Sequence, residues 1–297
     1  MTYALDPSQP LPDEIRRVAS ERLDEAIAYL TDSTEPFAAR VHEARKRTKE
    51  VRSVLRLVRK PLGASQQRAQ VHRLRDAAHR LAPARDAEVA RSTLDALDGG
   101  ATDLAPLRKA LDAERDAATG SVAGAGIADE AAAELADLRE QIAAWPLESD
   151  EWRLIQPGLT RAYRQGRRRM REALADPSDA TWHAWRKRVK DHWCHLRLLA
   201  PAHPAALDPI AEAAHRLSDA LGDDHDLAVF AHSIETADAT LSARARDRLD
   251  RRLADRRTEL RAEAYKLGAR LYAPKPKLWT MTLEAWWAAS RRVPLDN

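Results

Sequence analysis

Residues 40–60 read RVHEARKRTKEVRSVLRLVRK, and the reading of this stretch decides the fold. At about 100° per residue, His42, Arg45, Lys46, Lys49, Arg52 and Arg56 fall within an arc of about 120°. Ala44, Val51, Val54, Leu55, Leu57 and Val58 occupy the opposite side. The stretch is therefore one helix whose apolar stripe packs inward while its basic stripe faces out. Nine Lys/Arg against Glu43 and Glu50 give it a charge of +7. The whole chain carries +3, so the remaining residues sum to −4.

The pattern occurs twice. Residues 182–200, WHAWRKRVKDHWCHLRLLA, repeat it at an offset of 141: His183, Arg186, Lys187, Arg188, Lys190 and Arg197 match His42, Arg45, Lys46, Arg47, Lys49 and Arg56. Arg52 becomes Trp193 and Ser53 becomes Cys194. A solvated helix face usually mixes signs so that Glu and Lys pair at i, i+4. Here like charges stack at i, i+3, i+4 and i+7, at a cost of a few tenths of a kcal/mol per pair. One such face is ordinary surface chemistry, but two at matching angles imply a duplicated architecture and a shared site for a polyanion.

The rest of the chain supplies the frame. Its 297 residues, 44% of them apolar, suffice for a real core. Charge is nearly balanced, so anion affinity must come from local concentration. One cysteine, Cys194, excludes an internal disulfide framework. No signal-like segment opens the sequence and no apolar run approaches the length of a membrane span, which predicts a cytoplasmic protein without a membrane partner. Scarce glycine, abundant Ala, Leu, Arg and Glu, and no alternating run of β-branched residues predict an all-α fold.

Helices are expected over residues 12–30, 40–60, 65–81, from about 85, 102–118 and 129–144. A junction follows through Gln156-Pro157-Gly158, then helices over 159–175, 180–200, 210–221, 237–272 and a Trp-rich terminal helix. Asp98-Gly99-Gly100 reads as a turn, TGSVAGAG (119–126) as the most flexible internal stretch, and Pro201, Pro204 and Pro209 as a loop. The order repeats, predicting one domain over 1–297. It would consist of an N-terminal half, 12–145, and a C-terminal half, 158–290, packed as two four-helix bundles related by a pseudo-two-fold axis.

The pair VHEARKRTKEVRSVLRL and WHAWRKRVKDHWCHLRLL, each followed about forty residues later by LAPARDAEV and LGDDHDLAV, resembles the CHAD family, the conserved histidine α-helical domain. The resemblance runs from about residue 12 to 290. It implies two four-helix bundles with internal symmetry and a basic surface or channel that binds inorganic polyphosphate. It maps the binding positions onto His42, Arg45, Lys46, Lys49 and Arg56, and onto His183, Arg186, Lys187, Lys190 and Arg197. The chain departs from the pattern at Ala82-Pro83, which stands where the second copy has Leu221-Gly222, and at Arg85, which stands where the second copy has His225.

Polyphosphate suits these residues. It carries roughly one negative charge per unit, offers oxygens in all directions and has no bases to read, so it calls for cations at successive helical turns about 5.4 Å apart. Arg forks two phosphate oxygens, Lys acts as a mobile point charge, and His donors add a response to pH. Arg52 joins the primary set. Arg73, Arg75, His79, Arg80, Arg85, Arg164, Arg168 and His225 form a second tier, and Arg161 and Arg171 extend the Arg164 and Arg168 stripe. Arg47 and Arg188 fall near the apolar side and are expected to pair with acids, Asp86 and Asp226 being the candidates. His192 reads as a core histidine, Cys194 as an unreactive neighbour of the stripe, and most tryptophans as core.

Two other function classes compete. A nucleic-acid binder, RNA in particular, would interleave aromatics with cations, and only Trp193 does so. A metal-dependent phosphohydrolase would need ligands such as Asp223, Asp224, His225, Asp226 and His232, but the counterpart PARDAEVA lacks the His and two of the acids. No Gly-rich phosphate loop and no nucleophile elbow is present. The sequence thus predicts a binding protein without cofactor or turnover, placed in the cytoplasm and associated with polyphosphate granules.

Overall fold

The computed structural model describes residues 3–32, 34–98, 104–124, 126–236 and 241–292. Among these residues the regular structure is entirely helical: α1 (Leu11–Thr31), α2 (Phe37–Leu57), the single turn α3 (Arg59–Leu62), α4 (Ala64–Arg80), α5 (Ala82–Asp98), α6 (Ala105–Gly124), α7 (Ile127–Ile142), α8 (Gln156–Ala175), α9 (Asp179–Leu199), α10 (Pro204–Thr236), α11 (Ala243–Leu271) and α12 (Pro276–Ser290).

Local chemistry sets the ends of the two basic helices. Pro36 precedes α2, whose Val41, Ala44, Val51, Val54 and Leu55 are buried. Pro61 closes the short α3, and Gly63 at φ 77° redirects the chain into α4, a backbone region that glycine enters without a Cβ penalty. Helix α9 begins with a capping box in which the Ser178 hydroxyl accepts from the Thr181 N–H. Its Trp182, Trp185, Val189, His192, Leu196 and Leu199 form the buried face.

Helix α1 packs on α2 and α7, and α4 packs on both of those. In the second half of the chain α9 packs between α8 and α10, and α10 continues the packing to α11. Helices α2 and α9 meet each other, which brings the two basic stretches together. At the same junction α8 starts against the end of α2, where a Cβ on Gly158 would collide with the Leu57 carbonyl.

Two sequence expectations change. The predicted loop at Pro201, Pro204 and Pro209 is a short 3₁₀ turn, and α10 runs 33 residues from Pro204 through Leu221-Gly222. In the first half the same span is broken into α4 and α5 at Leu81, because Pro83 lacks the N–H that would continue the ladder and sits in the first turn of a new helix. The break lets α5 cross to α10 and α11 of the other half. The stretch 119–126, expected to be flexible, is helical through Gly124. The turn expected at Asp98-Gly99-Gly100 lies largely outside the described residues.

Large side chains fill the interior. Trp185, Tyr163, Tyr272 and Phe230 are fully buried, and Trp279 and Trp287 nearly so. His192 lies in the core, its ring 5.2 Å from that of Tyr163 and 6.1 Å from that of Trp279. Burial pushes its pKa down to about 3, so it is a neutral core group as its helical angle predicts.

Candidate functional site

A cleft of about 1070 Å³ opens where α2 meets α9, with α4, α5, α8 and α10 completing its walls. Helix α2 contributes Arg45, Lys49, Arg52 and Arg56, and α9 contributes His183, Arg186, Lys187, Arg188 and Lys190. From the second tier, Arg75 and His79 of α4, Arg85 of α5, Arg168 of α8 and His225 of α10 also line it. The 3.6-residue repeat of each helix turns these positions toward one opening. A smaller cavity of about 190 Å³ between α2 and α4 shares Arg45, Lys49, Arg52, Arg75 and His79 with the cleft.

The decisive property is how few of these cations are matched. Several arginines elsewhere are tied to acids, as Arg17 is to Glu14 and Glu21, and Arg91 to Asp95 and Asp112, while others, such as Arg80 and Arg164, stand exposed to water. In the cleft Arg45, Lys49, Arg52, Arg75, Arg186, Lys187 and Lys190 have no carboxylate within 4.0 Å among the described residues. The Arg45 guanidinium donates to the Ala78 carbonyl, and Lys190 Nζ lies 4.0 Å from the centre of the Trp193 ring.

Crowding and burial show in the protonation equilibria. Lys49 is pushed down to about 7, first by burial and then by Arg45, Arg186, Arg85 and Lys190. Burial, with Arg56 adding to it, lowers Arg52 to about 10. Lys187 and Lys190 are lowered as well, chiefly by burial. His183 and His225 stack with ring centres 4.1 Å apart, and each falls to about 4, mainly through burial. Such a site is short of negative charge, and an entering anion would relieve it.

Several predicted residues lie elsewhere or are already engaged. Arg56 lines the cleft but is bound to the buried Asp191 at 2.7 Å, and Arg197 is bound to the buried Glu50 at 2.7 Å outside the cleft lining. These two residues are therefore interface groups: each cation satisfies a carboxylate that the packing of α2 on α9 has removed from water. Lys46 sits outside the lining beside Glu43, at 3.4 Å. His42 is exposed and also outside it, its pKa lowered by partial burial and by Lys49, Arg85 and Lys46 against the opposing pull of Glu43. Arg73 is held by Glu134 and Asp137, and Arg80 and Arg164 are exposed away from the cleft. Arg161 and Arg171 also lie outside it, so of the α8 stripe only Arg168 reaches the cleft.

Arg47 and Arg188 are ion-paired as expected, but with other partners. Arg47 faces α1 and meets Glu25 at 2.5 Å, along with Glu43 and Glu50, whereas Arg188 meets Asp191 at 3.2 Å. Asp86 and Asp226 instead flank Arg85, at 3.4 and 3.6 Å. The proposed metal ligands diverge: Asp224 is buried against Arg257 and Arg261, and His232 is exposed beside Glu235. The described residues contain no grouping of three or more His, Cys, Asp or Glu placed to hold a metal ion.

Residues 17–235 match the CHAD domain, about three quarters of the chain. The chain belongs to the CHAD-domain family. The match is narrower than the 12–290 resemblance and ends with α10, so α11 and α12 lie outside it. Every residue lining the cleft lies inside it. No curated protein matches the chain. Among the described residues no helix is long and apolar enough to cross a membrane.

Two features of the CHAD cleft escaped the sequence reading. One is an acidic rim, Asp219, Asp223 and Asp226 of α10, whose i, i+4, i+7 spacing places them on one helix face. Burial, reinforced by Asp226 and Asp219, raises the pKa of Asp223. The other is the cover on Trp193. His215 stacks on its ring at 4.4 Å, and Lys190 and Arg197 approach it at 4.0 and 5.0 Å. Cys194 is buried and raised to about 12, consistent with an unreactive thiol.

Proposed function

We propose that the cleft binds inorganic polyphosphate without turning it over. The observation that carries this reading is the set of inward-facing cations lacking carboxylates, drawn from α2 and α9 together. A flexible chain with a charge on every unit can meet several of them at once and offset the burial and the neighbouring cations that together depress Lys49. Membership of the CHAD-domain family supports the same ligand.

The reciprocal pairs Glu50–Arg197 and Asp191–Arg56 join positions related by the 141-residue offset. They support a pseudo-two-fold relation between two four-helix units, α1, α2, α4 and α7 on one side and α8 to α11 on the other. In this arrangement the cleft straddles the axis and a long ligand gains contacts from both units. Binding in the cytoplasm at polyphosphate granules is the cellular setting we propose.

Titration of long-chain polyphosphate against single-stranded RNA of equal charge, at several salt concentrations, tests the ligand. Polyphosphate should bind more tightly, with log K falling linearly against log salt. Equal affinity for RNA would reverse the ligand assignment, because Trp193 is already covered and, among the described residues, no Trp, Tyr or Phe lines the cleft. Release of phosphate from polyphosphate by the protein with Mg²⁺ or Mn²⁺ would overturn binding without turnover.

A further inference from the structure

We propose that the small cavity between α2 and α4 admits small acyl phosphates and that the Lys49 amine takes the acyl group from them, a self-modification that removes one cation from the cleft. Recognition of the donor rests on the phosphate-binding reading of the cleft; the covalent step does not follow from that reading.

The geometry supplies the three requirements of such a transfer. The first is a compartment of the right size. About 190 Å³ exceeds the space several water molecules need, which is room for a short acyl group with its phosphate. The second is a phosphate anchor. Arg45, Arg52 and Arg75 line both this cavity and the main cleft, and none has a carboxylate within 4.0 Å among the described residues. The third is an amine that is not tied up. Lys49 lines both cavities and has no ion-pair partner among the described residues.

Arg45 on its own helix, Arg186 and Lys190 on α9 and Arg85 on α5 surround Lys49, all cationic; Asp86 and Asp226 are engaged by Arg85, and Asp76, the one acid lining the small cavity among the described residues, lies 2.6 Å from His72. That environment, together with burial, pushes the amine down to about 7, leaving a large share of free base at neutral pH. An ordinary lysine amine near 10.4 is neutral in only about one molecule in a thousand.

The chemistry balances without a further reagent. The Lys49 Nζ lone pair attacks the acyl carbonyl carbon, an N–C bond forms, and the carbon–oxygen bond to phosphorus breaks. The phosphate departs with that electron pair, and the nitrogen gives up its proton to water. The products are an Nε-acyl-lysine and inorganic phosphate, with no change of oxidation state. The cations that hold the donor also stabilise the leaving dianion.

The test is mass spectrometry of the full-length protein incubated with acetyl phosphate at pH 7.5, read as the acetylation rate at each lysine. The exposed Lys60 and Lys266 serve as comparators; free-base content favours an amine at about 7 over an ordinary lysine by several hundredfold, and the lower nucleophilicity of a weaker base offsets about thirtyfold of that. Lys49 should therefore react about tenfold faster or more. Excess inorganic phosphate should protect it, and Arg52→Gln should slow its reaction with acetyl phosphate more than with the uncharged donor N-hydroxysuccinimidyl acetate. Acetylation of Lys49 no faster than of Lys60 overturns the proposal, as does equal slowing with both donors. Polyphosphate binding without selective acetylation would sink this inference and leave the binding reading intact. Selective acetylation in a protein that binds no polyphosphate would do the reverse.

Discussion

Lys49 concentrates the chemistry of the site in one side chain. Because its folded pKa is near 7 and the unfolded value near 10.4, the folded state binds fewer protons between those limits, and stability rises with pH across that window. A polyanion selects the charged amine, so polyphosphate affinity should increase as pH falls from 9 toward 6, by up to about tenfold per unit above pH 7. In Lys49→Arg, isothermal titration should find this dependence largely flattened. An unchanged slope in that variant would place the titrating group elsewhere. His183 and His225, at about 4, are neutral in the empty protein above about pH 5 and add to the slope only as far as a bound anion raises them. The sequence predicts histidine-linked binding from ordinary histidine values; which groups lose their water is set by the packing of α2 on α9 and is not written in helical angles. Removing the repulsion should also stabilise the empty protein. Lys49→Met is expected to raise Tm at pH 6 by a few degrees while weakening binding, a trade-off between stability and function. A lower Tm for that variant would mean that the amine is satisfied by its surroundings.

At the level of elements, the contact of α2 with α9 is held by two crossed ion pairs. Glu50 and Asp191 are buried, and each is answered by an arginine of the opposite helix. Removing Arg197 takes away the closest partner of the buried Glu50 and leaves only Arg47 at 3.6 Å and Arg22 at 4.0 Å, so Arg197→Leu should cost about 1–3 kcal/mol in urea unfolding. Its polyphosphate affinity should change far less than that of Arg186→Leu. The reverse ranking would return Arg197 to the binding set. Helix periodicity places Arg56 and Arg197 on the basic arcs but does not reveal that a glutamate and an aspartate wait across the interface. The same limit applies to Arg47: its pairing with an acid is legible from its angle, whereas its partner Glu25 depends on where α1 packs. Element ends are more legible. Pro83 reads as a break and is one, and Gly158 marks the close approach of α8 to Leu57. Gly158→Ala should destabilise the protein by about 1–3 kcal/mol through overpacking against backbone.

On the scale of the whole molecule, the helical class, the repeated basic helix and the convergence of the two copies are all present in the sequence, because amphipathic spacing and a 141-residue repeat are local signals. The depth of the cleft, the acidic rim from α10 and the crossing of α5 to the other half are not, because they depend on how long helices cross. The central claim is that affinity resides in the unmatched cations of the cleft and not in overall basicity. It is tested most directly by titrating long-chain polyphosphate at pH 6, where Lys49 is largely charged, against two double variants of nearly equal charge loss, Lys49→Ala with Arg186→Ala inside the cleft and Arg251→Ala with Arg256→Ala on exposed, acid-paired sites of α11. With about 1.5–3 kcal/mol for each charged contact, the cleft pair should lose about 100-fold or more in affinity, and the surface pair should stay within about threefold. Equal losses from both pairs, with both proteins folded, would contradict the account.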